Sequence, residues 1–137
     1  MIHPHSLNYL AILVSGLLLW FLGAIWYSPV VFAKPWMEIL GIKKGESKQS
    51  GLILGMVASF IGDVVLSFIL AHIIFWANAT GFANGCVLGV LVWIGFIAAP
   101  NLPQGIYERR PFKLFAINSG YWLVGLFIVG GLLAAWR

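Results

Sequence analysis

Asp63 is the residue of this sequence with the clearest capacity for chemistry. It lies at the middle of the apolar stretch from Gly51 to Trp76, where a charged carboxylate costs roughly 2.5 to 3.5 kcal/mol to insert into lipid. The apolar stretches of the chain contain no Lys or Arg that could pair with it. Two interpretations stay open: Asp63 binds a proton or a cation, or it is a protonated carboxyl whose hydrogen bonds hold helices together.

Small and polar residues recur every four positions around this carboxyl. Such spacing places side chains along one side of a helix, where small residues let a second helix approach closely. Ser59 and Ser67 stand one turn before and one turn after Asp63 and belong to the predicted intramembrane polar site. The residues predicted to pack helices in this and a following stretch are Gly51, Gly55, Gly81, Gly85 and Gly89.

Helix geometry indicates which residues of other stretches lie at the depth of Asp63. With a rise of about 1.5 Å per residue, Ser15 in the first stretch and Tyr121 in the last reach the same level. We therefore predict Ser15 and Tyr121 as the hydrogen-bond partners of Asp63. Asn118 is shallower and is expected to pair with Trp93 or with a backbone carbonyl.

The amino terminus offers a weaker candidate site for a metal. The Met1 amine, two backbone amides and the His3 ring have the order of the nitrogen ligands in square-planar copper or nickel sites, although any chain with His at position three has this pattern. Elsewhere we find no phosphate-binding glycine loop, no H-E-x-x-H motif and no nucleophile with a His and an acid at one depth. We expect no enzymatic activity and no cofactor.

The elements that position these residues follow from the composition. Of 137 residues, 61% are hydrophobic and 9% charged, whereas soluble domains are about 45 to 50% apolar and 25% charged. The excess apolar surface must face lipid. Four stretches, residues 7–26, 52–76, 82–99 and 115–136, are long enough as helices to cross a hydrocarbon core of roughly 30 Å. The sequence predicts an all-α integral membrane protein with one four-span domain over residues 1–137.

Prolines and a glycine mark the connections between these spans. Between spans one and two, Pro35 suits a first helical turn and Gly41 a helix end, which predicts a short helix on the membrane surface. Pro100 and Pro103 are expected to end span three, and Pro111 to begin the last helix.

The basic residues predict the orientation of the chain. Seven of the eight lie in loops 27–50 and 100–113, and the eighth is Arg137. Because cytoplasmic loops carry the excess of Lys and Arg, both loops should be cytoplasmic and both termini outside. The net charge of +4 then reflects topology and contact with the lipid bilayer, and no nucleic acid is expected as a partner. At the cytoplasmic rim, Glu108, Arg109 and Arg110 are candidates to bind an anionic lipid head or a partner subunit.

Several short sequence motifs are spread over most of the chain. They are the run Gly-Ala-Ile-Trp-Tyr-Ser-Pro at residues 23–29, Trp-Ile-Gly-Phe at 93–96, and the segments 107–111 and 114–121. In these motifs the chain resembles a bacterial family of small membrane proteins catalogued as a domain of unknown function, number seventeen sixty-one. The resemblance implies a four-span protein of the bacterial inner membrane and no assigned activity.

Two classes of function stay open. The first is a homo-oligomeric transporter or channel for a proton, a cation or a small solute, with Asp63 as its coupling or selectivity group. The alternative is an accessory or assembly subunit that packs against a larger membrane complex or lipid.

Overall fold

The computed structural model describes residues 7–42 and 49–136, and all regular structure in these ranges is helical. Four stretches are long and apolar enough to cross a membrane: Tyr9–Trp26, Gly51–Trp76, Phe82–Tyr107 and Phe112–Ala135. The predicted fold class, an all-α membrane protein with four spans and a short additional helix, is confirmed. The elements are α1 (Tyr9–Trp26), α2 (Ala33–Leu40), α3 (Gln49–Trp76), α4 (Phe82–Trp93), a π-helical segment (Ile94–Ala98), α5 (Ala99–Tyr107) and α6 (Phe112–Ala135).

Local sequence signals account for where the helices begin and end. The Asn8 side chain accepts a hydrogen bond of 3.0 Å from the Ala11 backbone N–H and so caps α1. Gly41 ends α2 in the left-handed conformation, with φ of 71°, which a glycine adopts without steric cost. Pro111 precedes α6 in an extended conformation and lacks the N–H that a helix start would leave unpaired.

The third span differs from the prediction, because its helix does not end at the prolines. It passes through Pro100 and Pro103 and ends at Tyr107. The π-helical turn before Pro100 includes a wider hydrogen bond from the Ala99 N–H to the Ile94 carbonyl, a backbone adjustment that lets a membrane helix accommodate proline. The Asn101 side chain also donates to the Ile97 carbonyl at 2.7 Å. Side-chain and π-turn hydrogen bonds thus maintain the helix where the sequence indicated a stop.

The last helix, α6, lies at the centre of the bundle. α4 packs along it, and α1 lies between α6 and α3, which also touches α6. Gly85 and Gly89 bring α4 so close that a Cβ on Gly85 would collide with the Gly130 carbonyl, and a Cβ on Gly89 with the Leu126 carbonyl. This contact is one of backbone against backbone, which only small residues permit.

The small residues in the first half of α3 do not pack in this way. Residues 51–59 are all exposed, and a Cβ added to Gly51 or Gly55 would meet open space. α1 reaches this half through Trp20, whose indole donates to the Met56 carbonyl at 3.1 Å. Gly81 likewise has open space around it and, at φ of 86°, precedes α4 in a turn. The predicted packing ridges are therefore shorter than their sequence patterns.

Candidate intramembrane polar site

Asp63 lies inside the bundle at the crossing of α3 with α1. Its exposed fraction is 4%, although it stands at the midpoint of a span. The neighbouring Val64 sets how closely the helices approach, because a Cβ on Gly16 of α1 would lie 2.6 Å from the Val64 Cγ2 atom. No group among the described residues forms a hydrogen bond or an ion pair with the Asp63 carboxyl. Asp63 is thus a buried residue whose carboxyl has no hydrogen-bond partner in this part of the chain.

The serines near Asp63 leave its carboxyl free. Ser15 is fully buried, and its Oγ has no hydrogen-bond partner in the described chain. The buried Ser67 hydroxyl donates to the backbone carbonyl of Asp63 at 2.9 Å, so it does not reach the carboxyl. Ser59 is exposed on the outer surface of α3. The predicted hydrogen bond between Ser15 and Asp63 is not formed, and in the described chain the Ser15 hydroxyl is a buried polar group without a partner.

Tyr121 lies near Asp63 but bonds elsewhere. Its hydroxyl donates to the Leu19 carbonyl of α1 at 2.7 Å, so the predicted bond to Asp63 is not formed. Gly23 makes room for it, since a Cβ there would lie 3.2 Å from the Tyr121 hydroxyl. Asp63 and Tyr27 are both close enough to act on the Tyr121 phenol electrostatically.

Three consecutive residues of α6 accept hydrogen bonds from aromatic side chains of other elements. This row joins α6 to α1 and to α4 at one level of the bundle, and each bond is 2.7 to 2.9 Å long. The donors and acceptors are the Trp26 indole to the Ile117 carbonyl, the Tyr27 hydroxyl to Asn118 Oδ1, and the Trp93 indole to the Ser119 carbonyl. Asn118 thus pairs with Tyr27, and not with Trp93 or a carbonyl as predicted.

The sequence analysis did not identify Trp26 and Tyr27 as residues that join the helices. Burial raises the pKa of Tyr27 to about 12, so its hydroxyl stays a neutral donor at physiological pH. The indole of Trp26 lies against Gly120, where a Cβ would stand 3.3 Å from the ring. The signal available in the sequence was the position of Gly120 beside a polar pair, Asn118 and Ser119, in an otherwise apolar helix.

A comparison with protein-family models matches residues 10–134, nearly the whole chain, to the family described as protein of unknown function (DUF1761). The chain belongs to this family. Comparisons with curated proteins and with solved structures gave no match. The family description assigns no activity.

In this DUF1761 chain the motifs that carried the resemblance meet in space. The run 23–29 supplies Gly23, Trp26 and Tyr27, and the run 114–121 supplies their partners on α6. These motifs therefore build one contact between the end of α1 and the start of α6. Asp63 lies deeper in the bundle, beside Tyr121, the last residue of the second run.

The remaining candidates lie apart from Asp63. Glu108 and Arg110 form an exposed ion pair of 2.9 Å at the turn between α5 and α6. His3 lies outside the described residues. Within the described ranges, no group of three or more His, Cys, Asp or Glu could hold a metal ion.

Proposed function

We propose that this protein is a small membrane transporter or channel in which Asp63 binds the proton or cation that moves, alone or with a small solute. The observation that carries the proposal is the Asp63 carboxyl, which belongs to a residue that is 4% exposed at mid-span and which receives no hydrogen bond from the described residues. An ionisable group inside a membrane protein is costly and typically marks an ion or proton pathway.

The absence of hydrogen bonds to the Asp63 carboxyl favours ion binding over a purely structural role of this residue. A carboxyl that holds helices together has to donate or accept hydrogen bonds across their interface. Ser15 and Tyr121, the two residues best placed for such bonds, leave the carboxyl free, and the Ser15 hydroxyl is itself without a partner in the described chain. Both oxygen-bearing groups are then available to water, a proton or a cation.

A row of polar groups supports access from one end of the bundle. Asn118 and Tyr27 are hydrogen-bonded where α1 ends, and the Tyr27 and Tyr121 rings lie 5.9 Å apart between their centroids. Tyr121 in turn lies within electrostatic reach of Asp63. We propose that an ion or proton reaches Asp63 along this row, from the end that carries Lys34, Lys113 and the arginines of the α5–α6 turn.

A homo-oligomer would supply the remaining wall of such a pathway. Four spans are few for enclosing one, and the surface of α3 with Gly51, Gly55 and Ser59 lies open over its first half. Its spacing of small residues suits a close helix contact. We further propose that this oligomer sits in a bacterial inner membrane with the basic loops cytoplasmic, as the seven-to-one distribution of basic residues favours.

Ion flux into proteoliposomes tests the proposal. We expect wild-type protein to raise the flux of protons, Na⁺ or K⁺ above that of protein-free vesicles, and Asp63→Asn to return it to that background, because the amide keeps the size but cannot bind a cation by charge. Glu38→Gln, which neutralises an exposed carboxyl on α2, is the matched control and should retain the flux. Full flux through folded Asp63→Asn at every pH would contradict the proposal, as would a wild type that moves none of the three ions.

An accessory subunit is the second candidate, and the same open surface of α3 favours it. In that case a helix of a larger membrane complex would pack against the small residues, in place of a second copy of this chain. The mass of the protein extracted in mild detergent separates the two. A defined homo-oligomer agrees with transport, whereas a stoichiometric complex with another membrane protein agrees with the accessory role.

A further inference from the structure

A cleft of about 410 Å³ separates α5 from the first half of α6. It arises because α4 lies close on α6 through Gly85 and Gly89, while α5, beyond the π-helical segment, makes few contacts with α6. The volume falls in the range of roughly 300 to 1,000 Å³ that small-molecule sites occupy. A second transmembrane helix, about 10 Å in diameter, would need far more space.

The lining of this cleft is charged at one end and mostly apolar beyond it. Glu108 and Arg110 line it at the turn between the helices, with side chains 44% and 54% exposed. Leu114, Phe115 and Trp122 line it further along α6, away from that turn, with the polar pair Asn118 and Ser119 between Phe115 and Trp122. A ligand that fits this surface has a charged head and an apolar tail.

We propose that the cleft binds one anionic phospholipid, with its phosphate at the turn and part of an acyl chain against α6. Residues 108–113 contain three basic side chains and one acidic side chain. The ion pair of Glu108 with Arg110 therefore leaves in excess the charges of Arg109 and Lys113, which are next to the cleft in the sequence but are not among its lining residues. Basic residues at the membrane surface attract anionic lipid, and a lipid can enter an open cleft sideways from the bilayer. This proposal is independent of the role of Asp63.

Filling the cleft tests the site. Gly105 lines the cleft, and a Cβ there meets open space, so Gly105→Leu adds a side chain that starts in open space within the cleft. Gly95→Leu, in the same span and also in open space but not among the residues that line the cleft, is the matched control. Native mass spectrometry with added phosphatidylglycerol should show one tightly bound lipid per chain for the wild type and for Gly95→Leu, and loss of most of that binding for Gly105→Leu. Equal binding by the two leucine variants would overturn the proposal.

Neutralising the excess charge tests the head-group preference. We expect Lys113→Gln, and Arg109→Asn at a left-handed backbone position with φ of 57°, each to weaken phosphatidylglycerol binding roughly fivefold, the factor that corresponds to about 1 kcal/mol per basic residue. Binding of phosphatidylcholine with the same acyl chains should not change, and thermal unfolding should show that the variants are folded. Equal wild-type affinity for the two lipids would overturn the proposal. A disulfide that forms between two copies of the Ile106→Cys variant in a bilayer of phosphatidylglycerol would also overturn the proposal, because a second copy of the chain would then fill the cleft.

Discussion

Gly89→Ala is expected to lower the free energy of unfolding by about 1 to 3 kcal/mol or more, since overpacking of a protein interior typically costs that much. The added Cβ would meet the backbone carbonyl of Leu126, which cannot rotate away as the end of a flexible side chain could. α4 and α6 would have to separate along their whole contact, and Gly85, one turn away, faces the Gly130 carbonyl in the same way. The effect should therefore lie at or above the upper end of this range.

Gly95→Ala is the matched control for this prediction. It makes the same chemical change in the same span, but its Cβ meets open space. Because alanine favours a helix over glycine by roughly 0.5 to 1 kcal/mol, we expect unchanged or slightly higher stability. Thermal unfolding in one detergent measures both variants. Equal midpoints for Gly89→Ala and Gly95→Ala would show that the α4–α6 contact is looser than described.

Asp63→Leu is expected to separate stability from function. Leucine has nearly the shape of aspartate, and on insertion scales it is more favourable at the centre of a membrane helix by roughly 3 kcal/mol. Since the Asp63 carboxyl forms no hydrogen bond with the described residues, its removal should leave the folded protein as stable as the wild type or more stable. Flux in proteoliposomes should nevertheless disappear.

The structural interpretation of Asp63 makes the opposite prediction. If its carboxyl joined helices, Asp63→Leu would break those bonds and lower the free energy of unfolding by roughly 0.6 kcal/mol, the average for such bonds in a membrane protein, and by at most about 1.7 kcal/mol per bond. Ser15→Ala is a useful companion variant, because its buried hydroxyl also lacks a partner in the described chain. We expect it, too, to retain or gain stability. A clear loss in both variants would favour a hydrogen-bonded network over an ion site.

The spans were predictable because length and composition alone decide them. The path of span three was not, since the sequence shows Pro100 and Pro103 but not the π-helical turn that accommodates them. A similar limit applies to Gly51 and Gly55. A repeat of four residues indicates which side of a helix is small, but not whether another helix lies against it.

The sequence predicted the depth of the site residues in the membrane, but not the direction in which their side chains point. Counting residues along helices correctly brought Tyr121 near Asp63, because rise per residue fixes the level. Which atoms bond depends on the rotation of each helix about its axis, and that follows from packing over the whole bundle. Tyr121 therefore bonds to the Leu19 carbonyl, and Tyr27, which was not predicted as a site residue, pairs with Asn118.

Infrared difference spectroscopy of the carboxyl group in lipid tests the central claim most directly, because it observes the group that is said to bind the ion. We expect the carboxyl band of the wild type to change when protons or the transported cation are added under the conditions that give flux. That change should be absent from Asp63→Asn and retained in Glu38→Gln. A spectrum that is the same for wild type and Asp63→Asn under all those conditions would show that Asp63 neither gains nor loses an ion, and would contradict the account.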